Sequence, residues 1–370
     1  VERLYEKCAL GNIILKNRFV RSATWEGMCD GTSAPTEKLI SLYEELADGD
    51  VGLIITGYAF VRKDGQQLAG KMGIHDDALL PRLKEMVGRV HGRGGKIACQ
   101  LVHAGGRADG NLTGEKPLAP STVMITGYTE VPRELTKGDI HGIVKAFGDA
   151  AARAKEAGFD GVELHGAHGY LISQFLSPLS NLREDEYGGS FTNRARFLME
   201  VYRVVRERVG EDYTVFIKLN SDDFEEGGFT ADDSREVAKM LDKEGINGIE
   251  LSGGTPASGE RSPARTGINS PEKEAYHREY AARIKRDIDA PVILVGGLRS
   301  PSVVKDIFES DHADFFSLSR PFIREPRLVT RWMDGDESMA RCISCNGCFA
   351  PGLKEGGIYC VVEKKRVSSS

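Results

Sequence analysis

GFDGVELHGAHGYLISQFLSPLSN, residues 158–181, is the stretch that decides how this chain is read. Gly158 ends a helical pattern, a short apolar run follows, and polar residues then crowd the far end: His165, His168 and Tyr170 among glycines. A helix closed by glycine and followed by a nearly continuous apolar strand is the repeating unit of a parallel sheet covered on both faces.

The same unit recurs in both directions along the chain. Strand candidates fall at 19–23, 51–58, 96–102, 161–166, 214–220, 248–254, 291–297 and 315–321. Helical patterns separate them: PTEKLISLYEELADG, DDALLPRLKEMVGRVHGRG, residues 136–158, FTNRARFLMEVYRVVRERVG, TADDSREVAKMLDKEG, SPEKEAYHREYAARIKRDI and SPSVVKDIFES. Several open on Ser, Thr or Pro and close on Gly, as helix capping prefers. Eight units of this kind predict an α/β fold, a (β/α)8 TIM barrel over residues 1–336. An open sheet is the alternative, because a strand count does not establish closure. Two long connections, 105–133 and 170–190, are expected to carry function or small extra elements. Residues 337–370 read as a short, separate cysteine-rich extension.

Composition narrows the function. The 370 residues are 40% hydrophobic and 28% charged with a net charge of -6, and no basic block stands out. Nucleic acid and anionic membrane are therefore not expected as partners. The opening VERLYEKCALGN lacks an apolar signal region, and no apolar run is long enough to span a bilayer, so a cytoplasmic enzyme with a small-molecule substrate is expected.

Polar residues collect at the carboxyl ends of the strands. Gln100 follows KIAC, His165 follows GVEL, Lys218 follows VFI and Ser252 follows GIEL. Gly296 and Gly297 follow VILV, and Ser319 and Arg320 follow FFSL. In a barrel those ends share one face, where this fold carries its chemistry. Glycines after the seventh strand and an arginine after the eighth suit a phosphate, although a tight turn with a surface arginine reads the same way. No G-x-G-x-x-G follows the first strand, so a dinucleotide fold is not indicated. Glu163 and Lys218 are charges inside apolar runs, so each must be paired or face a ligand; a Glu163–Lys218 pair between neighbouring strands is expected. His165 and His168 lack the H-E-x-x-H spacing of a helical zinc site, and no carboxylate completes a ligand set. They fit better as two donors aimed at one small group, with the Tyr170 hydroxyl able to give a proton.

Of the seven cysteines, Cys342, Cys345, Cys348 and Cys360 crowd near the C-terminus. In a cytosolic chain such crowding reads as a metal site before disulfides.

HGAHGYLISQFLSPLSNLREDEYGGS from His165, with LKNRFVRSA near residue 20, QLVHAGGRA at 100–108 and SLSRPFIREP at 317–326, resembles the old yellow enzyme family of FMN-dependent oxidoreductases. The likeness covers nearly the whole chain and implies FMN at the carboxyl mouth of the barrel. It places Ser22, Ala23 and Thr24 behind the flavin ring, Gly57 or Tyr58 alongside, Gln100 on its pyrimidine edge and Lys218 as a positive charge near N1. Gly296, Gly297, Ser319 and Arg320 would hold the phosphate. His165 and His168 would grip a substrate carbonyl, Tyr170 would protonate the α-carbon, and Arg107 and Trp25 would shape the substrate pocket. Trp25 stands where trimethylamine dehydrogenase carries its flavin-linking cysteine, so FMN is expected to be non-covalent. C-I-S-C-N-G-C with Cys360 resembles the [4Fe–4S] ligand run of 2,4-dienoyl-CoA reductase and trimethylamine dehydrogenase; a Zn(Cys)4 site or free thiols are the alternatives.

The resemblance thus implies an ene-reductase: NAD(P)H reduces the flavin, which then reduces an activated C=C of an α,β-unsaturated carbonyl compound in ping-pong fashion. Amine or other C–N oxidation, or an FMN/iron–sulfur electron-transfer subunit of a larger complex, are the alternatives. A homo-oligomer is expected, and a redox partner protein if the cluster is present.

Overall fold

The computed structural model describes residues 2–368. Eight parallel strands are laid down in chain order: β1 (Phe19–Arg21), β2 (Leu53–Ile55), β3 (Ile97–Val102), β4 (Gly161–Gly166), β5 (Thr214–Asn220), β6 (Ile249–Ser252), β7 (Val292–Val295) and β8 (Phe315–Leu318). Each pairs with the next, and β8 pairs with β1, so the sheet closes into a barrel. The open-sheet alternative is thereby excluded. The near-continuous apolar runs follow from this geometry, because every strand is covered by helices outside and by neighbours' side chains inside.

The principal helices lie between the strands: α1 (Glu37–Asp48), α2 (Leu80–Gly92), α3 (Lys137–Ala157), α4 (Phe191–Val209), α5 (Ala231–Lys243), α6 (Arg278–Lys285) and α7 (Pro301–Glu309). Capping residues fix several ends. Thr136 and Asp139 form a reciprocal box at the start of α3, which stops at Gly158 in the left-handed region (φ +92°). Thr230 and Asp233 repeat the box at α5. α6 is shorter than its periodicity suggests. Residues 270–277 leave the helix because the Glu274 carboxylate accepts from the Arg299 and Ser300 N–H groups at 2.7 and 2.9 Å. That capture also carries Tyr276 and His277 inward beneath the loop after β7.

The amino end of the barrel is plugged. An antiparallel hairpin, Cys8–Leu10 with Ile13–Leu15, packs Leu10, Ile13 and Leu15 against inward residues of the strands, among them Leu53, Ala98, Phe216 and Ile293. Only the carboxyl mouth is left open for chemistry. The long connection after β3 folds into a 3-10 turn at Gly105–Arg107, a single-turn helix at Gly110–Thr113 and a two-residue strand pair, Leu118–Ala119 with Arg133–Glu134. The connection after β4 begins with a short helix, Leu171–Leu176. Among the described residues no helix is long and apolar enough to cross a membrane.

Candidate active site

The floor of the mouth is a polar network sunk in the barrel core. The Lys218 ammonium on β5 lies 2.9 Å from a Glu250 carboxylate oxygen on β6 and donates to Ser22 Oγ at 3.0 Å. The other Glu250 oxygen accepts from Ser22 Oγ and from Ser317 Oγ on β8, both at 2.7 Å. On the far side Gln100 Nε2, on β3, donates to Glu163 on β4 at 2.6 Å.

The expected Glu163–Lys218 pair is therefore not the one that forms. Lys218 lies level with Glu250 on β6 and with His165 on β4, whereas Glu163 sits two residues lower, level with Gln100. Glu250 carries the signal that marked the other two, a carboxylate inside an apolar run (GIELSGG), yet strand order alone does not reveal its register. Burial and the nearby Glu250 charge push the Glu163 carboxyl well above its ordinary range, so it keeps its proton and hydrogen-bonds Glu250. Burial also works against ionisation of Glu250, but the Lys218 ammonium and the Glu163 and Ser317 hydrogen bonds outweigh it and bring the carboxyl down to about 2.

Above this floor opens a cavity of about 530 Å³, within the range of small-molecule sites. Gln100 and Lys218 form its base, with Ser22 beside them. Ala23, Thr24 and Trp25, after β1, and Tyr58, after β2, make one wall. Arg107, His165, His168 and Tyr170 make the other. Ser319 is shared with an adjoining recess that Gly297 and Arg320 line. Two expected cofactor contacts stand behind the wall instead. A Cβ at Gly57 would meet the Glu26 carboxylate at 2.1 Å, and one at Gly296 would meet the Tyr276 and His277 rings at 3.0–3.2 Å. Neither lines the cavity or the recess.

The histidines converge. Their ring centroids are 5.2 Å apart, and Tyr170 lies 4.7 Å from His165. His165 Nδ1 accepts from the Ala167 N–H at 3.3 Å, which leaves the ring proton on Nε2. His168 takes a left-handed backbone (φ +60°), held by its N–H donating to Asn220 Oδ1 and by Arg107 donating to its carbonyl at 2.7 Å. Its Nε2 lies 2.7 Å from Ser252 Oγ. Burial first, then the His168 and Lys218 charges, hold His165 well below the usual imidazole pKa. Burial, then Lys218 and Arg107, do the same to His168. Both rings are neutral at pH 7, each with one N–H to give. The Tyr170 hydroxyl donates to Gln67 Oε1 at 3.0 Å, and Tyr58 donates to the same oxygen at 2.9 Å. Gln67, which the sequence did not flag, fixes both phenols.

The residues fit FMN. The base offers an amide and an ammonium, and the recess offers Arg320 beside Gly297, whose φ of +74° favours glycine. Trp25 Nε1 and Arg107 Nε are buried donors without a protein partner, as expected of groups that face a ligand.

The cysteine tail abuts this site. Arg320 donates to Asn346 Oδ1 at 2.6 Å, and Asn346 Nδ2 donates to the Ala264 carbonyl, also at 2.6 Å. Phe349 lines both the cavity and the recess. Cys342, Cys345, Cys348 and Cys360 all line one small pocket with Arg320 and Asn346. Among the described residues no group of three or more His, Cys, Asp or Glu side chains is placed to hold a single metal ion. Burial raises the Cys342 thiol, and burial together with the Cys342 charge raises Cys348 to about 11.

A model of the NADH:flavin oxidoreductase / NADH oxidase family matches residues 3–338. The NADH oxidase of Thermoanaerobacter brockii is 38% identical over 351 residues, covering 94% of this chain but 53% of that protein, so the chain spans about half its length. The NADPH dehydrogenase of Geobacillus sp. (strain WCH70) is 36% identical over 324 residues, 87% of this chain and 91% of that protein. The solved structure of the old yellow enzyme homologue from Zymomonas mobilis is 26% identical with a TM-score of 0.79, covering 91% of this chain and 94% of that one.

The floor network generates a stability test. Lys218→Met leaves a buried carboxylate without its cation, a loss of about 3–5 kcal/mol. The double variant Lys218→Met/Glu250→Gln recovers more than half of it in urea unfolding at pH 7; equal losses would contradict the pairing. Because Glu250 is depressed when folded, the wild-type advantage is present above the unfolded carboxyl pKa and fades as pH falls toward about 2.

Proposed function

The chain belongs to the NADH:flavin oxidoreductase / NADH oxidase family, and on that premise we propose that it is an FMN-dependent ene-reductase that draws electrons from NAD(P)H and reduces an activated C=C of an α,β-unsaturated carbonyl compound. One arrangement carries this reading: two neutral imidazoles and a phenol grouped on one wall of a cavity that has a single ammonium at its base. Thr24, Gln100, Lys218, Gly297, Ser319 and Arg320 would hold FMN without a covalent bond, and FMN supplies the hydride chemistry when bound.

The remaining roles belong to the protein. His165 Nε2–H is free to donate, and a carbonyl oxygen that accepts from it gains partial negative charge in a setting shielded from water. His168 adds a second donor if its Ser252 contact yields to the substrate. Polarising the carbonyl makes the β-carbon electron-poor, and hydride arrival there leaves an enolate that needs a proton at the α-carbon. Tyr170 holds that proton at its hydroxyl, oriented by Gln67. The Lys218 ammonium favours negative charge at the cavity base, and Glu250 limits how strongly it does so.

We assign a [4Fe–4S] cluster to Cys342, Cys345, Cys348 and Cys360. Four thiols lining one pocket supply the ligand number and type that such a cluster needs. The Arg320–Asn346 bond ties that pocket to the recess proposed for the FMN phosphate. A cluster held there would supply one-electron chemistry, and a partner protein would be its redox partner.

Tyr170→Phe is expected to slow flavin reoxidation by 2-cyclohexenone about a hundredfold or more, and to slow flavin reduction by NAD(P)H far less. Equal slowing of both half-reactions, followed by stopped-flow absorbance, would contradict the proton-donor role. Protein purified without oxygen is expected to carry iron and acid-labile sulfide in equal amounts. Zinc, or no metal, would overturn the cluster assignment.

A further inference from the structure

Lys71 is a buried ammonium that none of the roles above uses. It is 3% exposed, lines the same cavity as the histidine pair, and lies in the short segment after β2 that carries Met72–Gly73. Backbone packing fixes its place. The Cys29 N–H donates to the Gly70 carbonyl at 3.1 Å, and a Cβ on Gly70 would come within 3.0–3.1 Å of the Gly27 backbone. Gly70 also has a left-handed φ of +67°, so glycine lets this segment lie against the loop after β1 and carry Lys71 into the mouth.

No carboxylate pairs directly with the charge, and Glu26 favours it only weakly. Among the described residues Lys71 has no ion pair and no hydrogen bond. Glu26, the carboxylate whose charge acts on it, is already engaged: it accepts from Arg21 at 2.7 Å, from Tyr43 at 2.7 Å and from the Gly57 N–H at 3.1 Å. Arg107, a second cation lining this cavity, also has no acidic partner, and its Nε is buried and unsatisfied. Lys71 Nζ does rest 3.2 Å from the Tyr58 ring centroid. A ring face offsets only part of the cost of taking an ammonium out of water. Burial, and then Arg107, accordingly hold the Lys71 amine well below its ordinary pKa. By contrast Lys218 has Glu250, and Arg320 faces the recess assigned to a phosphate.

We propose that Lys71 and Arg107 form an anion subsite within the substrate pocket, so that the preferred acceptor is an unsaturated ketone or aldehyde that also carries a carboxylate. Tyr58 joins the two parts of the pocket: its ring touches Lys71 and lies 5.1 Å from Tyr170 and 6.4 Å from His165. One small molecule can thus place its carbonyl on the histidines and its carboxylate on the cations. This inference rests on the ene-reductase reading for its substrate, but not for its binding arm.

The test uses the FMN-loaded protein with a matched pair, 4-oxopent-2-enoate and its methyl ester, and a matched pair of phenols, 4-hydroxybenzoate and 4-hydroxybenzamide. The wild type is expected to prefer each anion about tenfold or more, in kcat/KM for the acceptors and in calorimetric Kd for the phenols, as a charge-assisted contact allows. Lys71→Met should cut both preferences below about twofold, and Lys71→Arg should keep most of them, since the charge remains. Equal treatment of acid and ester by the wild type, or a preference that survives Lys71→Met, overturns the subsite. A Lys71→Met effect confined to the NADPH-over-NADH ratio also overturns it, because the cation would then serve a nucleotide phosphate. Should neither acceptor turn over while 4-hydroxybenzoate still binds through Lys71, the reaction assignment fails and the subsite stands.

Discussion

The Lys218–Glu250 ion pair is the constraint around which the rest is arranged. Two charges at the centre of a barrel are tolerated only when every surrounding polar atom finds a partner. Ser22, just past β1, Gln100 on β3, Glu163 on β4 and Ser317 on β8 supply those partners or extend them. Five of the eight strands, and the residue just past a sixth, therefore meet in one network. The backbone ladders close the barrel, and this side-chain network ties its strands together at the floor of the cavity. The proton held by Glu163 completes the balance: one ammonium, one carboxylate and one neutral acid in a space that would not accept a second anion.

Much of this was legible in the sequence, for physical reasons that can be named. Strands buried on both faces must read as apolar runs, so all eight were visible, and the polar or glycine residues ending six of them marked the functional mouth. Helix ends at Thr136, Gly158 and Thr230 were readable because capping is local chemistry. What failed depended on register or on distant capture. Glu163 was matched to the wrong neighbour because barrel stagger, not strand order, sets which residues are level. The start of α6 was overestimated because Glu274 is claimed by N–H groups some 25 residues away. Gly57 and Gly296 are closely packed against Glu26 and against Tyr276 and His277. Lys71 lies in a segment with no periodicity to flag it, and only its burial without a partner exposes it.

The mouth and the cysteine tail form one continuous structure. A Cβ on Gly352 would meet the Trp25 ring at 3.0 Å, and one on Gly27 would meet the Gly352 carbonyl at 2.8 Å. The loop after β1, which walls the cavity, is thus sandwiched between the tail and the segment that carries Lys71. Asn346 holds the tail to Arg320 beside the adjoining recess. Chemistry at the thiols and ligand binding in the cavity therefore act on shared walls, and the tail shapes the pocket whatever its thiols bind.

The most direct measurement is of the yellow cofactor itself. Purified protein precipitated with acid is expected to release an equimolar amount of FMN into the supernatant, as a non-covalent ring seated above Lys218 requires. A colourless protein, or flavin that stays with the precipitate, would contradict the account at its centre.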